Sequence, residues 1–306
     1  MASLRDIRTR IASVRNTQQV TRAMKMVAAA KLRRAQEGIF NSRPYAYKIR
    51  ELVQNLQGAV DPAEAGLPVA REEVKRALVV VVSADRGLAG AFNTNVIKKA
   101  ERLIEDEYHA LNEAGALDLI CIGRKAHDHF AKRGYNLIGD YRGVFGALHF
   151  DRAVEIVATM MDGYVDETWD KVDVVYNEFR NTIAQNRIVE PFLPIPSEFF
   201  TPVMEKSEDY RQTDPEGKNA DYIFEPSVAE MAMSLLLRHL NFQMWRILLE
   251  SNAAEQGARM VAMENATTNA GELLRELKLT YNQARQAAIT NEIIEIASGA
   301  EALKKG

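Results

Sequence analysis

A loop with two glycines, Gly87 and Gly90, follows an apolar run in the segment VVVVSADRGLAGAFNTNV, residues 79–96. A strand that turns through glycines into a helix can bind phosphate, because the free N–H groups of the helix's first turn point outward. The loop lacks the third glycine of the dinucleotide fingerprint and the Gly-Lys-Ser/Thr ending of a P-loop. These residues therefore leave two interpretations open, a nucleotide site and a structural turn.

Other residues that could support catalysis or bind a metal are scattered. His127 and His129 diverge by about 200° on a helix, and no Cys or acid completes a ligand set at metal-binding spacing. Cys121 is the only cysteine and lies in the apolar stretch LDLICIG, which indicates a buried, inert thiol. The neighbours Asp-Arg in GDYRG and Glu-Arg in NEFRN are typical of surface ion pairs. The sequence predicts no catalytic residue, no metal site and no bound cofactor.

The charges are distributed unevenly along the 306 residues, although the net charge is only −3. Residues 1–60 carry twelve Lys or Arg and three acids, a balance of +9, so the remainder carries −12. This segment is expected to contact an acidic partner. Nucleic acid is one candidate, but the aromatic residues that could stack on bases, Phe40, Tyr45 and Tyr47, all lie near the end of the segment.

No apolar stretch reaches the roughly 18 residues that span a bilayer. The first residues lack the apolar core of a signal peptide, and the first helix signal begins at Ser3. We therefore expect no presequence, and a protein that works where it is made.

The N-terminal region predicts one long helix over residues 3–57, because proline is absent before position 44. Its apolar residues step by three and four along Ile7, Ile11 and Val14. After the polar stretch RNTQQ, the pattern predicts a second, displaced stripe that consists of Val20, Met24 and Val27.

The C-terminal region predicts a helix over residues 226–304 that starts at Glu225-Pro226-Ser227. Heptad steps from Leu235 and from Met231 give two lines of positions, many of them small or polar. A stable isolated coiled coil would carry more Leu, Ile and Val there.

Helix length determines the expected architecture. At 1.5 Å per residue the two helices would measure about 80 and 120 Å, whereas a compact chain of this size has a radius of gyration near 19 Å. We therefore expect the two ends of the chain to pair as an antiparallel rod.

The middle of the chain predicts an α/β domain with a partly parallel sheet covered on both faces. The fold class is therefore α/β: a long antiparallel coiled coil of the terminal helices plus a central Rossmann-like domain. The expected domains are residues 1–60, 61–225 and 226–306, with a polar connector over 191–226. Strands are expected at 76–83, 117–123, 171–179 and 186–196, and helices at 93–111, 124–134 and 150–165.

Three segments resemble the gamma subunit of F-type ATP synthase. They occur in the same order as in that family, and the resemblance covers essentially the whole chain. They are SLRDIRTRIASVRNTQQVTRAMKMVAAAKLRRAQ at the N-terminus, SADRGLAGAFNTN in the middle, and EQGARMVAMENATTNAGELLRELKLTYNQARQAAITNEIIEIASGAEAL at the C-terminus. The resemblance implies a non-catalytic rotor shaft inside a ring of alpha and beta subunits, with one copy per complex. It also implies contacts with epsilon and the membrane c-ring, no role in nucleic-acid binding, and a structural role for the Gly87 to Gly90 turn.

The resemblance further implies a peripheral location at the cytoplasmic face of a bacterial cell membrane. A single cysteine excludes the regulatory dithiol of plant chloroplast gamma subunits, and a mitochondrial precursor would carry a presequence. The membrane foot is matched by the shorter motif ADYIFEP, through Tyr222 and Glu225.

Contacts with the stator follow from the resemblance residue by residue. Met24 matches a position that faces an acidic loop of beta, although it also fits the seam of the coiled coil. In NQARQAAIT, the positions that match contacts with the catch loops of beta are Arg285, Gln286 and Thr290.

The end of the C-terminal helix has apolar residues on more than one face, including Ile289, Ile293, Ile294 and Leu303. Packing against the N-terminal helix could cover only one of these faces. We therefore expect an apolar bearing at this end.

Overall fold

Two long helices dominate the molecule. The computed structural model describes residues 4–55, 68, 70–71, 73–182, 184–195 and 227–304. Helix α1 runs over Leu4–Asn55 and helix α6 over Val228–Lys304, which gives lengths of about 80 and 115 Å. Both predicted helices are confirmed. The Oγ of Ser227 accepts a hydrogen bond from the Glu230 N–H at 3.2 Å, so this serine caps α6.

The two helices pair antiparallel, as expected. Lys25 forms an ion pair with Glu264, and Arg8, seventeen residues earlier, donates to the hydroxyl of Tyr281, seventeen residues later. At equal rise per residue, Leu4 lies level with position 285. Residues 286–304 of α6, here called the tip segment, therefore extend past the first described residue of α1.

The α1 side of the seam keeps one heptad phase instead of shifting to a displaced stripe. Val20 and Val27 are each 57% exposed, so the predicted second stripe is wrong for both. Where the apolar pattern of α1 is interrupted, polar residues occupy the seam positions and pair with residues of α6. The α1 residues that line it are Ile7, Ile11, Val14, Gln18, Thr21, Lys25, Ala28, Leu32 and Ala35.

The heptad line from Leu235 is confirmed, because Leu249, Met263 and Ala270 along it are buried. The heptad line from Met231 is wrong, because along the coiled coil the buried positions lie one residue later in the sequence. The buried residues of the second line include Ala253 and Leu274, one position after the expected Asn252 and Leu273. Small and polar seam residues leave adjacent heptad phases nearly equivalent in sequence, and only packing against α1 selects between them.

The central domain holds a five-stranded sheet flanked by helices. Its elements are β1 Ala77–Val82, α2 Phe92–Glu107, α3 His109–Glu113, β2 Leu117–Ile122, α4 Arg124–Ala131, β3 Asn136–Leu137, α5 Phe150–Val165, β4 Lys171–Phe179 and β5 Gln185–Leu193. The strand order is β3-β2-β1-β4-β5, with β5 antiparallel to β4 and the other pairs parallel. All four predicted strands and all three predicted helices are present. The predicted helix 93–111 is divided at Tyr108 into α2 and the short α3. The elements missed are the two-residue β3 and a 3-10 turn at Val144–Gly146.

Both faces of the sheet are covered, because side chains alternate along each strand. On one face, Val79 and Val81 of β1 pack in a cluster with α2 and α4. On the other face, Val80 packs in a cluster with α5 and with residues of α6 that include Leu236 and Leu248. The first part of α6 therefore belongs to the domain core, and the rest forms the rod.

The expected domain boundaries, 60/61 and 225/226, lie outside the described residues. The three-part division stays a proposal.

Candidate functional site

The glycine loop lies at the carboxyl edge of the parallel strands, next to the neighbouring ends of β1 and β4. In doubly wound sheets this edge is where ligands bind. Here α6 crosses it: Ala84, Ala89 and Phe92 form a buried cluster with Ala254 of α6. Gly90 has a φ of +58°, and a Cβ on it would lie 3.9 Å from the Cβ of Ala262. The protein's own helix thus fills the crevice.

Arg259 of α6 anchors this loop. Its Nη1 donates to the Gly87 carbonyl at 2.5 Å, and its Nη2 pairs with Glu255 one turn earlier on the same helix. Burial raises the pKa of Glu255, and the Arg259 guanidinium opposes that rise. The two side chains are only 11% and 7% exposed, so the pair depends on its own contacts rather than on solvent.

The start of α4 is also occupied by protein groups. Asp85 Oδ1 accepts from the backbone N–H of Arg124 at 3.0 Å and of Gly143 at 2.7 Å. Ser83 Oγ accepts from the N–H of Ala126 at 2.8 Å. A carboxylate of the chain itself therefore stands at the N-terminus of α4, a kind of position where phosphate can bind. The glycine loop leads into α2, and there the packing of Ala254 of α6 against Ala84, Ala89 and Phe92 supports the structural turn.

A second buried ion-pair anchor ties β5 to α6. The Arg246 Nη2 donates to both carboxylate oxygens of Glu190, at 2.5 and 2.8 Å. The Tyr176 hydroxyl donates to the same carboxylate at 2.7 Å. The Arg246 guanidinium keeps the pKa of Glu190 low despite its burial. The domain and the long helix are therefore connected at two levels by charge-assisted hydrogen bonds.

His127 and His129 do not form a shared site. His129 contacts Glu101 at 2.8 Å, whereas the Nδ1 of His127 is buried, lies 3.8 Å from Asp128 and has no hydrogen-bond partner among the described residues. Within the described part of the chain, no group of three or more His, Cys, Asp or Glu side chains is placed to hold a metal ion. Burial raises the pKa of Cys121 to about 12, which keeps the thiol unreactive.

Met24 is half-buried beside the seam, and Arg285, Gln286 and Thr290 are exposed on α6. These four residues are not brought together at one place, because Arg285 lies at the level of Leu4 and Met24 lies about twenty residues further along the rod. Tyr222 and Glu225 lie outside the described residues.

The tip segment is a single exposed helix. Ile289, Ile293 and Ile294 are 48%, 60% and 58% exposed, and no described residue of α1 reaches their level. Packing against the N-terminal helix therefore does not account for them. Leu303 belongs to the helix, but its side chain lies outside the described part of the chain.

Sequence reasoning missed the polar seam and the Arg259 anchor. The seam was detectable, since Gln18, Thr21 and Lys25 continue the alternating steps of three and four from Ile7. The anchor had no sequence signal, because Arg259 and Gly87 are far apart in the chain.

No helix among the described residues combines the length and the apolar character that crossing a membrane requires.

Comparison with known proteins gives the family. The ATP synthase family model matches residues 3–303. The ATP synthase gamma chain of Salinibacter ruber is 56% identical over 306 residues, which cover 100% of this chain and 99% of the relative. The ATP synthase gamma chain of Chloroherpeton thalassium is 51% identical over 311 aligned residues, which cover 100% of this chain and 99% of the relative. The chain belongs to the ATP synthase gamma chain family.

Solved structures of ATP synthases share the fold of this gamma-family chain. A chain from the Euglena gracilis mitochondrial ATP synthase, in its OSCP/F1/c-ring structure, superposes with a TM-score of 0.61 at 21% identity and covers 98% of this chain and 94% of its own. A chain from the central stalk and c-ring structure of the Tetrahymena thermophila mitochondrial ATP synthase superposes with a TM-score of 0.54 at 23% identity. It covers 81% of this chain and 99% of its own.

The first prediction concerns the Arg259 anchor. Arg259→Met leaves the Glu255 carboxylate buried without its partner, and we expect a loss of about 3–5 kcal/mol in the free energy of unfolding, measured by urea titration. The pKa of Glu255 in the folded state rises further above its ordinary value of 4.5. Stability of the variant should then fall more steeply than that of the parent as pH increases above this value.

The matched control is the double variant Arg259→Met/Glu255→Met, which removes both charges and should recover most of the lost stability. A single variant as stable as the parent chain would contradict the role of the anchor.

Proposed function

We propose that this chain is the central rotor shaft of a rotary F-type ATP synthase. It couples ion flow through a membrane ring to ATP synthesis or hydrolysis at catalytic sites of the alpha and beta subunits. It has no catalytic site of its own. The observation that carries the proposal is the match to gamma chains over the full length, combined with a rod that projects far beyond the domain.

A shaft needs rigid attachment to the part that is driven. The anchors at Arg259 and Arg246 and the apolar core shared with α6 supply it, since they connect the sheet to the rod at several levels. Torque applied to the domain is therefore transmitted to α6 rather than absorbed in a loose joint.

The partners of the shaft follow from the same proposal. One copy sits inside the alpha and beta hexamer, and its domain contacts epsilon and the membrane c-ring, with Tyr222 and Glu225 at the foot. The chain is peripheral, at the cytoplasmic face of a bacterial membrane. The +9 charge of residues 1–60 suits acidic surfaces on these partners.

Coupling arises from asymmetry. A shaft of two unequal helices presents a different face to each beta subunit, and differential contact with the conformations of beta lets the rotor angle bias nucleotide affinity. We assign Met24, Arg285, Gln286 and Thr290 to these contacts. Exposed charged pairs contribute only about 0–1 kcal/mol each, so no single angle is held tightly.

The tip segment supplies the bearing in this proposal. Apolar contact has no preferred direction and gives no angle at which the shaft would latch. Ile289, Ile293, Ile294 and Leu303 are proposed to turn inside an apolar collar formed by alpha and beta.

The second prediction tests the function itself. A tagged chain expressed in its own host should co-purify alpha and beta subunits at a fixed stoichiometry with one copy of this chain, and the purified chain alone should hydrolyse no ATP. ATP turnover by the chain free of alpha and beta would refute the proposal, as would the absence of these subunits from the purified complex.

The third prediction concerns Met24. Met24→Lys adds a cation close to an acidic loop of beta, and the extra ion pair favours some rotor angles over others. We expect an assembled complex that pumps fewer ions per ATP hydrolysed in membrane vesicles. Met26→Lys, on the outward face of α1 two residues away, is the control and should leave the ratio unchanged. Equal effects of the two substitutions would argue against a specific contact at Met24.

The fourth prediction separates the bearing from the directional contacts. Ile294→Ala/Leu303→Ala should preserve ATP turnover, because the remaining apolar residues still fill the collar. Arg285→Ala/Thr290→Ala should slow it, because polar contacts with beta are lost. The assignment fails if the tip variant abolishes turnover in an assembled complex while the Arg285/Thr290 variant has no effect.

A further inference from the structure

Three polar residues face each other in the seam of the rod, and we call them the polar layer: Gln18 and Thr21 of α1 and Thr267 of α6. The two threonine hydroxyls are hydrogen bonded at 2.8 Å, and the Gln18 amide donates to the Thr267 carbonyl at 3.4 Å. Thr21 is only 8% exposed. The layer therefore replaces apolar seam contacts with hydrogen bonds between the helices.

A notch in α6 receives the Gln18 side chain. A Cβ on Gly271 would lie 3.0 Å from the Gln18 Nε2, closer than about nine in ten real Cβ contacts, so the Gln18 amide would have to move by a few tenths of an ångström. The residues one turn away on α6, Thr267 and Arg275, both carry side chains. The Gln18 amide therefore fits against α6 at the level of Gly271. If one helix slid by one turn in either direction, the amide would meet a side chain instead.

Two of the buried seam residues near the layer, Ala28 and Ala270, are small. Their short side chains interlock little with the opposite helix, so they specify register weakly. A slide would break the hydrogen bond between the Thr21 and Thr267 hydroxyls and leave each with only a carbonyl of its own helix, that of Gln18 at 3.1 Å and that of Met263 at 2.7 Å. The hydrogen bonds lost across the seam, between the hydroxyls and from the Gln18 amide, make the slide unfavourable. Polar seam residues are known to fix register in coiled coils at some expense of stability.

We propose that Gln18, Thr21 and Thr267 are positioning residues that fix the register of the two shaft helices. The proposal rests on the proposed function, because its consequence is the axial distance between Met24 on α1 and Arg285 on α6. A slide of one helical turn would change that distance by about 5.4 Å. Contacts of beta with Met24 and with Arg285 could not then both form.

The test is Thr21→Val/Thr267→Val, which removes both hydroxyls and keeps the side-chain shape. The matched control is Thr9→Val/Thr280→Val, again one threonine from each helix. The Thr9 and Thr280 hydroxyls are exposed and donate only to carbonyls of their own helices, those of Arg5 and Glu276.

The register of α1 against α6 is measured by the yield of engineered disulfides between the two helices, in the full chain within the assembled complex. Lys25→Cys with Glu264→Cys reports the native register, and Lys25→Cys with Thr268→Cys reports a slide of one turn. In the layer variant we expect the native yield to fall at least threefold, the shifted yield to rise, and the ions pumped per ATP to fall at least twofold. The midpoint of thermal unfolding should not decrease, since paired hydroxyls have been replaced by apolar groups of the same shape.

A second variant tests the notch. Gly271→Ala places a methyl group against the Gln18 amide, and it should lower the native disulfide yield although alanine favours the helix more than glycine does. The same substitution in a Gln18→Ala background should raise the midpoint of thermal unfolding. If Thr21→Val/Thr267→Val does not fold, the disulfide yields of Gly271→Ala, alone and in the Gln18→Ala background, test the proposal.

An unchanged ratio of native to shifted disulfide in both variants overturns the proposal, even if coupling falls, because the hydroxyls would then act by another route. A shifted register with unchanged coupling also overturns it. Failure of the proposed function is distinguishable, since the parent chain would then not co-purify alpha and beta at all.

Discussion

The packing of α6 against two different surfaces is the constraint on which the rest of the structure depends. Its first part completes the core over one face of the sheet, through residues such as Leu236 and Leu248. Its middle part closes the carboxyl edge of β1 and β4, and its later part pairs with α1. One continuous helix therefore makes the domain and the rod a single mechanical body.

This arrangement places the protein's own helix at the carboxyl edge of a sheet with Rossmann-like strand order. Nucleotide-binding sheets leave the groups at this edge free for phosphate, whereas here Ala254 packs on the glycine loop and Arg259 takes the Gly87 carbonyl. Gly90 serves the turn itself, because its φ of +58° is a backbone conformation that favours glycine, whereas a Cβ there would make only an ordinary contact with Ala262 of α6. The family match and the geometry thus agree on a structural role.

The interactions along α6 change in kind with distance from the domain. Near the sheet they are buried ion pairs and apolar contacts, which break only at high cost. Along the rod they become a seam of small and polar residues, and at the tip segment no described residue of α1 remains opposite. A shaft needs this gradient, because its base must transmit torque while its far end must turn against its surroundings without latching.

The sequence by itself determined the long helices, the four main strands and the antiparallel rod, because proline-free periodicity and helix length leave few alternatives. It also determined the family, through motifs such as SADRGLAG. Only the tertiary structure decided which residues of α6 pair with the α1 side of the seam. Val20 and Val27 were expected in the seam, yet Gln18 and Thr21 occupy it, because the heptad phase that begins at Ile7 continues through them and Thr267 of α6 pairs with Thr21. The Arg259 anchor was undetectable from the sequence, since it joins residues remote in the chain, and such pairs become neighbours only when the chain has folded.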